Sequence, residues 1–287
     1  MSQFARPASL SDAVALLEHD PQARPLGGGT AIQILRQQGL LAPSTLVDLA
    51  AIPEMHGIGE QDGSLRIGAM VTHREVETSA LVRAAAPLLC QTYHHVANIR
   101  VRHTATVGGN LAHGDYRLDP PAALLVLGAA VHLAGPNGRR TLPLSEFFVD
   151  LQQTALESGE LVVDIRVPLA HPIRSSHFVK FSSLAANDWP CVGVAALLEW
   201  DDAGGLAAAR LGVTAMASVP LLVDLADAAG LDEPTLANMA VAAVAQVIDP
   251  LPDVRGSAAY KRQVCGAVVR DAIAAAWRAP REEARSV

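Results

Sequence analysis

Two glycine runs carry the first chemical suggestion in this chain. One is GGGT at residues 27–30, inside "RPLGGGTAI"; the other is TVGGN at residues 106–110, inside "RVRHTATVGGNLAHGDYRLDPP". Each sets glycine beside threonine, and the two lie about eighty residues apart. A phosphate held close to the backbone needs several N–H groups aimed at one point and no Cβ in the way, and glycine meets both needs. Thr30 stands where a helix N-cap is expected, with a helix to follow. The N–H groups and dipole of that first turn would favour an anion. Gly27, Gly28, Gly29 and Thr30 therefore form a candidate pyrophosphate cradle. The Gly108-Gly109 turn is a second, with Thr106 and Asn110 as side-chain partners. A lone GGG is ordinarily only a turn, but two runs with matched chemistry point to a diphosphate clasped from both sides. Neither run fits GxGxxG or GxxxxGK[ST], which disfavours a Rossmann or P-loop site.

Other reactive residues point less far. His94, His95, His103 and His113 have no carboxylate spacing to suggest a metal and read as helix-surface and loop histidines. Asp115 and Asp119 could pair for acid–base work; loop ordering by an Asx turn is the plainer reading for Asp115. Trp189 reads as a packing residue. The three cysteines, Cys90, Cys191 and Cys265, are far apart and form no CxxC. That argues against a disulfide framework and against a zinc or iron–sulfur site in this chain. Cys90 and Cys265 sit in alanine-rich helical stretches, as buried small hydrophobes would.

The elements that must position the glycine runs are legible in outline. The chain has 287 residues, enough for two domains or one large one. Hydrophobic residues make up 50% and charged residues 18%, a globular composition. The net charge is −7 with no long basic run, so counterion release gives it no drive toward nucleic acid. No apolar run reaches the roughly 18–20 residues of a membrane span. The N-terminus lacks a signal-peptide pattern, so the cytoplasm is expected. Residues 11–18 read as a helix, "ARPLGGGT" as a short strand ending in glycines, and 31–38 as a helix closing on Gly39. "STLVDLA" and "SLRIGAM" read as strands. A long helix is expected over 80–96, with Pro87 able to divide it. TVGGN is expected as a loop. Asn137-Gly138 signals a hairpin turn, and "GELVVDIRVPL" a strand stopped by Pro168. After a boundary near 170–176, "HFVKFSS", "CVGVAALLEW" and "AARLGVTAM" read as a three-stranded meander. Two helices follow, from Asp232 and over "SAAYKRQVCGAVVRDAIAAAW". The charged tail reads as frayed.

Together these segments resemble the FAD-binding (medium) subunits of molybdenum hydroxylases, the family of the carbon monoxide dehydrogenase and xanthine dehydrogenase flavoproteins. GGGTA at 27–31 resembles the family's AGGTx loop. Arg102 followed by TVGGN resembles its IRN-x-x-TIGGN loop. Asp115, Asp119 and Pro121 fall on a DPxxDLP continuation. "GRRTLPLSEFF", "GELVVDIRVP" and "KFSSLAANDWPCVGVA" match later family segments, in order, so the resemblance spans essentially the whole chain. His103 stands where Asn is usual, Tyr116 and Pro120 alter the DPxxDLP run, and Leu184 and Ala185 replace two arginines common after the lysine.

The resemblance implies an α+β fold. A PCMH-type, vanillyl-alcohol oxidase-like FAD-binding domain would cover 1–173, with subdomains of about 1–55 and 56–173. A C-terminal domain of the CO dehydrogenase flavoprotein kind, with a three-stranded antiparallel sheet and helices, would cover 174–280, and 281–287 would be a tail. It implies that Gly27, Gly28, Gly29, Thr30 and Ala31, with Thr106, Val107, Gly108, Gly109 and Asn110, hold the pyrophosphate, beside Arg102. Asp119 would contact the ribityl or flavin side, and Leu161 and Val162 would pack near the isoalloxazine. Lys180 would lie near the ring, where a cation stabilises reduced, anionic flavin. No catalytic residue for the organic substrate is implied in this chain. The implied partners are a large subunit with the molybdopterin cofactor and a small subunit with two [2Fe–2S] clusters, in a dimer of heterotrimers. Electrons would pass from the clusters through FAD to NAD, quinone or oxygen. Two other readings stay open: a stand-alone FAD reductase of the same fold, which needs a Ser or Cys proton donor that cannot be located here, and a scaffold subunit without flavin.

Overall fold

The computed structural model describes residues 2–285. It opens with β1 (Gln3–Ala5), α1 (Leu10–His19), β2 (Arg24–Leu26), α2 (Thr30–Gln37) and β3 (Thr45–Asp48). The three strands make a parallel sheet in the order β1-β3-β2. Parallel neighbours require crossovers, which α1 and α2 supply. Ser9 caps α1 by accepting from Asp12 N–H, and the helix buries Leu10, Ala13, Val14 and Leu17 along one face. By contrast α2 buries no residue.

The chain continues through β4 (Ile58–Gln61), β5 (Ser64–Gly68), α3 (His73–Thr78), α4 (Ala80–Ala85), α5 (Pro87–His94), α6 (Ile99–Arg102), α7 (Val107–His113) and α8 (Pro120–Val126). It then forms β6 (Ala130–Gly135), β7 (Gly138–Pro143), β8 (Phe148–Asp150), β9 (Gln153–Thr154) and β10 (Leu161–Pro168). Five of these strands make an antiparallel sheet, β4-β5-β10-β6-β7. The helical stretch over 80–96 does divide at Pro87, which becomes the first residue of α5. The hairpin loop between β6 and β7 is Pro136-Asn137 rather than Asn137-Gly138, because Gly138 already pairs with Gly135. TVGGN is not a loop: Thr106 is an N-cap and residues 107–110 are the first turn of α7.

The second half is built on β11 (Ile173–Phe181), β12 (Val192–Trp200), β13 (Leu206–Thr214) and β14 (Leu221–Leu225), followed by α9 (Glu233–Val247) and α10 (Ala258–Arg278). The sheet is antiparallel and has four strands, not three. The added edge strand, β14, is only five residues long and follows Pro220, so its sequence signal is slight. Along β12, Val192, Val194, Ala196, Leu198 and Trp200 enter a core shared with α9 and α10. Ala195 and Leu197 point the other way and join the core of the first half. A strand covered on both faces reads as a continuous apolar run, which is what "VGVAALL" is.

The element that covers that second face is α8. All seven of its residues are buried. Its backbone seats directly on β13, where a Cβ on Gly212 would lie 2.0 Å from the Ala122 carbonyl oxygen. The tail is also fixed rather than frayed. Glu282 and Arg285 bridge to Arg174 and His171 along the outer edge of β11, and Arg174 Nε donates to Glu282 at 2.9 Å. This covers an edge that would otherwise present unpaired backbone. Residues 286–287 lie outside the described residues.

Two glycines of this half separate packing from propensity. Gly212→Val must push α8 off the sheet and is expected to lower stability by roughly 1–3 kcal/mol or more. Gly266→Ala, inside α10 with its nearest contact at an ordinary 3.5 Å from Val241, is expected to raise it by up to about 1 kcal/mol. Thermal melts of the two variants check both signs.

Candidate functional site

The first glycine run leaves β2 at the carboxyl end of the parallel sheet, where open α/β sheets bind ligands. Gly29 adopts φ +74° and is itself the N-cap of α2, so the cap is glycine and not Thr30. Thr30 is the first helical residue, and no side chain caps the helix. The first backbone bond of the helix runs from Gln33 N–H to Gly29 O, at 2.9 Å. Among the described residues, the N–H groups of Gly28, Gly29, Thr30, Ala31 and Ile32 donate to nothing in the chain. Five consecutive free donors at a helix start, with the macrodipole behind them, make an anion cradle.

The second run is different. Val107 N–H donates to Val71 O at 2.9 Å, Gly108 N–H to Ala69 O at 2.8 Å, and Asn110 N–H to Thr106 O at 2.9 Å. Gly109 N–H donates to the Thr106 hydroxyl at 3.3 Å. The glycine pair therefore serves packing: a Cβ on Gly108 would lie 2.5 Å from that of Ala69, and one on Gly109 would lie 2.8 Å from Thr106 Oγ1. What this segment can offer a ligand is side chains. Thr106 keeps an unassigned hydroxyl proton, and Asn110 Oδ1 is buried without a partner.

The two runs meet. A Cβ on Gly27 would lie 2.6 Å from Thr106 Oγ1, and one on Gly28 would lie 1.7 Å from the Thr104 carbonyl oxygen. The contact at Gly28 is backbone against backbone, so the protein alone demands glycine there.

Asp119 and Lys180 also come together, from opposite halves. Lys180 Nζ on β11 donates to Asp119 Oδ2 at 2.7 Å and to the His95 carbonyl at 3.0 Å. Both side chains are at most 5% exposed. Asp119 precedes α8 but caps nothing, and its Oδ1 is buried without a partner. Burial outweighs the lysine and pushes the Asp119 carboxyl up to about 6. Asp115 has the opposite environment. It accepts from Arg117 N, Nε and Nη2 at 2.9, 2.9 and 2.6 Å, and despite its burial these bonds hold it below the usual range.

Other residues named from the sequence lie deeper. Arg102 is buried, with Nε donating to Glu77 at 2.9 Å and Nη1 to Val96 O at 3.0 Å. It braces the segment before TVGGN from within. Leu161 and Val162 are buried on β10 in the main core. Sequence reasoning passed over Glu77, which joins Arg74, His94 and Arg102 at 3.0, 2.8 and 2.9 Å and so ties α3, α5 and α6 together. Nothing in its spacing marks it, because its partners converge only in three dimensions. Ile32, the last free donor of the cradle, was missed because its side chain reads as helix face.

Comparison with known proteins decides the family. Residues 1–170 match the model described as the FAD binding domain in molybdopterin dehydrogenase, and residues 177–276 match the CO dehydrogenase flavoprotein C-terminal domain. The chain belongs to this family. It is 34% identical over 275 residues to the carbon monoxide dehydrogenase medium chain of Afipia carboxidovorans, covering 94% of both chains. It is 30% identical over 223 residues to the xanthine dehydrogenase FAD-binding subunit of Escherichia coli O157:H7, covering 77% of this chain and 76% of that one. The solved structure of reconstituted CO dehydrogenase from Oligotropha carboxidovorans superposes with a TM-score of 0.91 at 32% identity, covering 98% and 99% of the two chains. The residues present suit the family's cofactor. An FAD-binding subunit needs donors for a pyrophosphate and buried acceptors for a hydroxyl-bearing chain. The free N–H row, and the unpartnered Asn110 Oδ1 and Asp119 Oδ1, are groups of those kinds.

Two consequences can be measured on the flavin-free subunit. Gly28→Ala is expected to lower its melting temperature before any flavin is added, because the new methyl meets the Thr104 carbonyl. Retention of the wild-type melt would remove the loop contact. The raised Asp119 carboxyl means that the folded state holds a proton the unfolded chain releases near 3.8. Stability from this group is therefore complete below about 4 and is lost as pH rises toward about 6, by about 3 kcal/mol. Denaturant titrations should show the wild type losing ground to Asp119→Asn across that window and running parallel to it above.

Proposed function

We propose that this chain is the electron-transfer subunit of a molybdenum hydroxylase. It would carry FAD between the [2Fe–2S] clusters of a small partner subunit and an external acceptor, while a large partner subunit with the molybdopterin cofactor oxidises the substrate. The observation that carries this is the row of free N–H groups from Gly28 to Ile32, set against the Thr104–Thr106 backbone. A scaffold without flavin has no use for five unpaired donors at a helix start. The family match supports the cofactor, and the CO dehydrogenase relatives support the two partners.

FAD, when bound, supplies the exchange between single electrons and electron pairs. The chain's own residues bind and orient it. In our assignment the N–H groups of Gly28, Gly29, Thr30, Ala31 and Ile32 hold the pyrophosphate, with Gly27 giving room beside Thr106. The Thr106 hydroxyl and Asn110 add side-chain bonds. Val107, Gly108 and Gly109 fix the turn that presents them, and Arg102 braces it through Glu77. Asp119 and Lys180 face the ribityl and ring side. Leu161 and Val162 form the floor beneath. We assign the FAD-binding domain to 1–173, with subdomains of about 1–55 and 56–173, and the C-terminal domain to 174–280. A dimer of heterotrimers in the cytoplasm completes the reading. Among the described residues no helix is long and apolar enough to cross a membrane.

The test removes one donor without disturbing the helix. Proline is accommodated in the first turn of a helix, as Pro121 and Pro234 are at the second positions of α8 and α9, and it lacks an N–H. Ala31→Pro should melt close to wild type without flavin, yet bind FAD about tenfold or more weakly, the effect of one charge-assisted hydrogen bond. Ala31→Ser, which keeps the N–H, should bind much closer to wild type. Flavin fluorescence titration reads both, and equal affinity for wild type and the proline variant would move the pyrophosphate elsewhere.

A further inference from the structure

The outer edge of β11 is fastened to the first half by a glutamine. Gln91, on α5, accepts from the Phe178 N–H through Oε1 at 2.9 Å. Its Nε2 lies 3.0 Å from both ring nitrogens of His177. Farther along the strand, Lys180 Nζ donates to the His95 carbonyl at 3.0 Å. The tail covers this edge at 171–176, and α5 covers it at 177–180.

The bonding at Gln91 admits one arrangement at a time. The Phe178 N–H only donates, so Oε1 must face it. Nε2 also only donates, and it is left to face His177. The imidazole must then accept. Neutral imidazole does so through its one bare nitrogen in either tautomer, because both nitrogens stand at the same distance. Imidazolium carries a proton on each nitrogen and has no lone pair to offer. A protonated His177 is therefore incompatible with a glutamine bonded to Phe178. Turning the carboxamide over removes the conflict. Oε1 then accepts from the imidazolium in a charge-assisted bond, stronger than the neutral one it replaces. The Phe178 N–H is left facing an amide nitrogen that cannot accept.

No acid acts on this ring. Burial alone holds His177 below its ordinary range. From α5 come His94, taken by Glu77, and His95, whose ring lies against Phe178. Burial, then His94, Lys180, His177 and Arg102, hold His95 low as well. Lys180 on β11 is committed to Asp119, and Arg102 to Glu77. The tail brings Glu282, which is bonded to Arg174 and Ser176. β12 pairs His177 with Ala196, and the buried positions of α10 are apolar except for Lys261.

We infer that Gln91 and His177 form a proton-operated latch between the two halves of this chain, closed on the β11 backbone while His177 is neutral and released from it when His177 is protonated. The proton comes from solvent, and the His177 N–H is the one covalent bond formed. α8 still joins the halves when the latch is open, so the change is confined to the edge stretch 177–180. The sign follows from the ring. The latch is closed above the ordinary histidine value of 6.5, and it opens as pH falls through the lower value of the folded state.

The experiment is amide hydrogen exchange by NMR on the full chain without flavin, for wild type, His177→Leu and Gln91→Met. Rates are corrected for intrinsic exchange and compared between about pH 8 and the pH at which the His177 ring signals report full protonation. In wild type, Phe178 should lose about tenfold of its protection relative to Leu198 in β12. His177→Leu should keep Phe178 protected throughout, and Gln91→Met should leave it unprotected at both ends. Unchanged protection in wild type overturns the inference, as does an equal loss in His177→Leu. If a variant does not fold, the wild-type titration decides. A Phe178 amide shift that follows the His177 ring supports the latch, and an amide that stays put while the ring titrates ends it.

Discussion

Everything in this subunit depends on α8 having no solvent-facing side. A helix buried all round cannot be stabilised by one domain, so it fixes the two halves as a single body. Gly212 lets its backbone touch the second sheet, and the first half's core closes over the rest. The polar consequence is at its start. Burying α8 carries Asp119 into the dry seam, where only a cation from the other half can reach it. Lys180 meets that need and holds the end of α5 with its second bond. Removing either partner from such a pair leaves an uncompensated buried charge, which typically costs about 3–5 kcal/mol. The pair is therefore less a source of stability than a record of how the halves must align.

The two glycine runs look alike in the sequence and do different work. In the first, the backbone donors are free and the glycines clear the way to them. In the second, the donors at 107–110 all face inward, and the glycines allow α7 to start against Ala69. Their similarity comes from a shared steric need, close backbone approach, and not from a shared ligand contact. Where they touch, at Gly28 and Thr104, the loop with free donors is seated on the loop whose donors are engaged. The cradle thus inherits its rigidity from a segment that is itself braced by Arg102 and Glu77.

How much of this could be read beforehand follows from the range of each interaction. Helix starts with side-chain caps, the proline break at 87 and the long apolar strand 192–200 depend on neighbours in sequence, and they were legible. The N-cap at residue 29 was misplaced by one because Thr30 is the usual capping type, while the φ of +74° there suits glycine. TVGGN was read as a loop because glycine disfavours helix interiors. The propensity cost is overridden by the Thr106 cap and by the bonds to Ala69 and Val71. The tail was read as frayed from its charge alone, yet those charges are what bind it, Glu282 to Arg174 and Arg285 to Glu60. Of the site, the glycines were visible as residue types. The engagement of one set of N–H groups and the freedom of the other were not, because that distinction is decided by partners far away in sequence.

A chain of net charge −7 is a poor attractor of a pyrophosphate at long range. The cradle resolves this by working at short range. Backbone N–H groups carry no net charge, need no deprotonation equilibrium and hold their direction without side-chain entropy. The helix dipole adds a positive potential that fades within a turn. Two arginines of the neighbouring sequence are turned to other tasks: Arg102 faces Glu77, and Arg117 faces Asp115 while stacking 4.9 Å over the Trp189 ring. In the proposed function, the site selects an anion by its fit against the backbone rather than by the summed field of the protein, which suits a cofactor meant to stay bound while electrons pass.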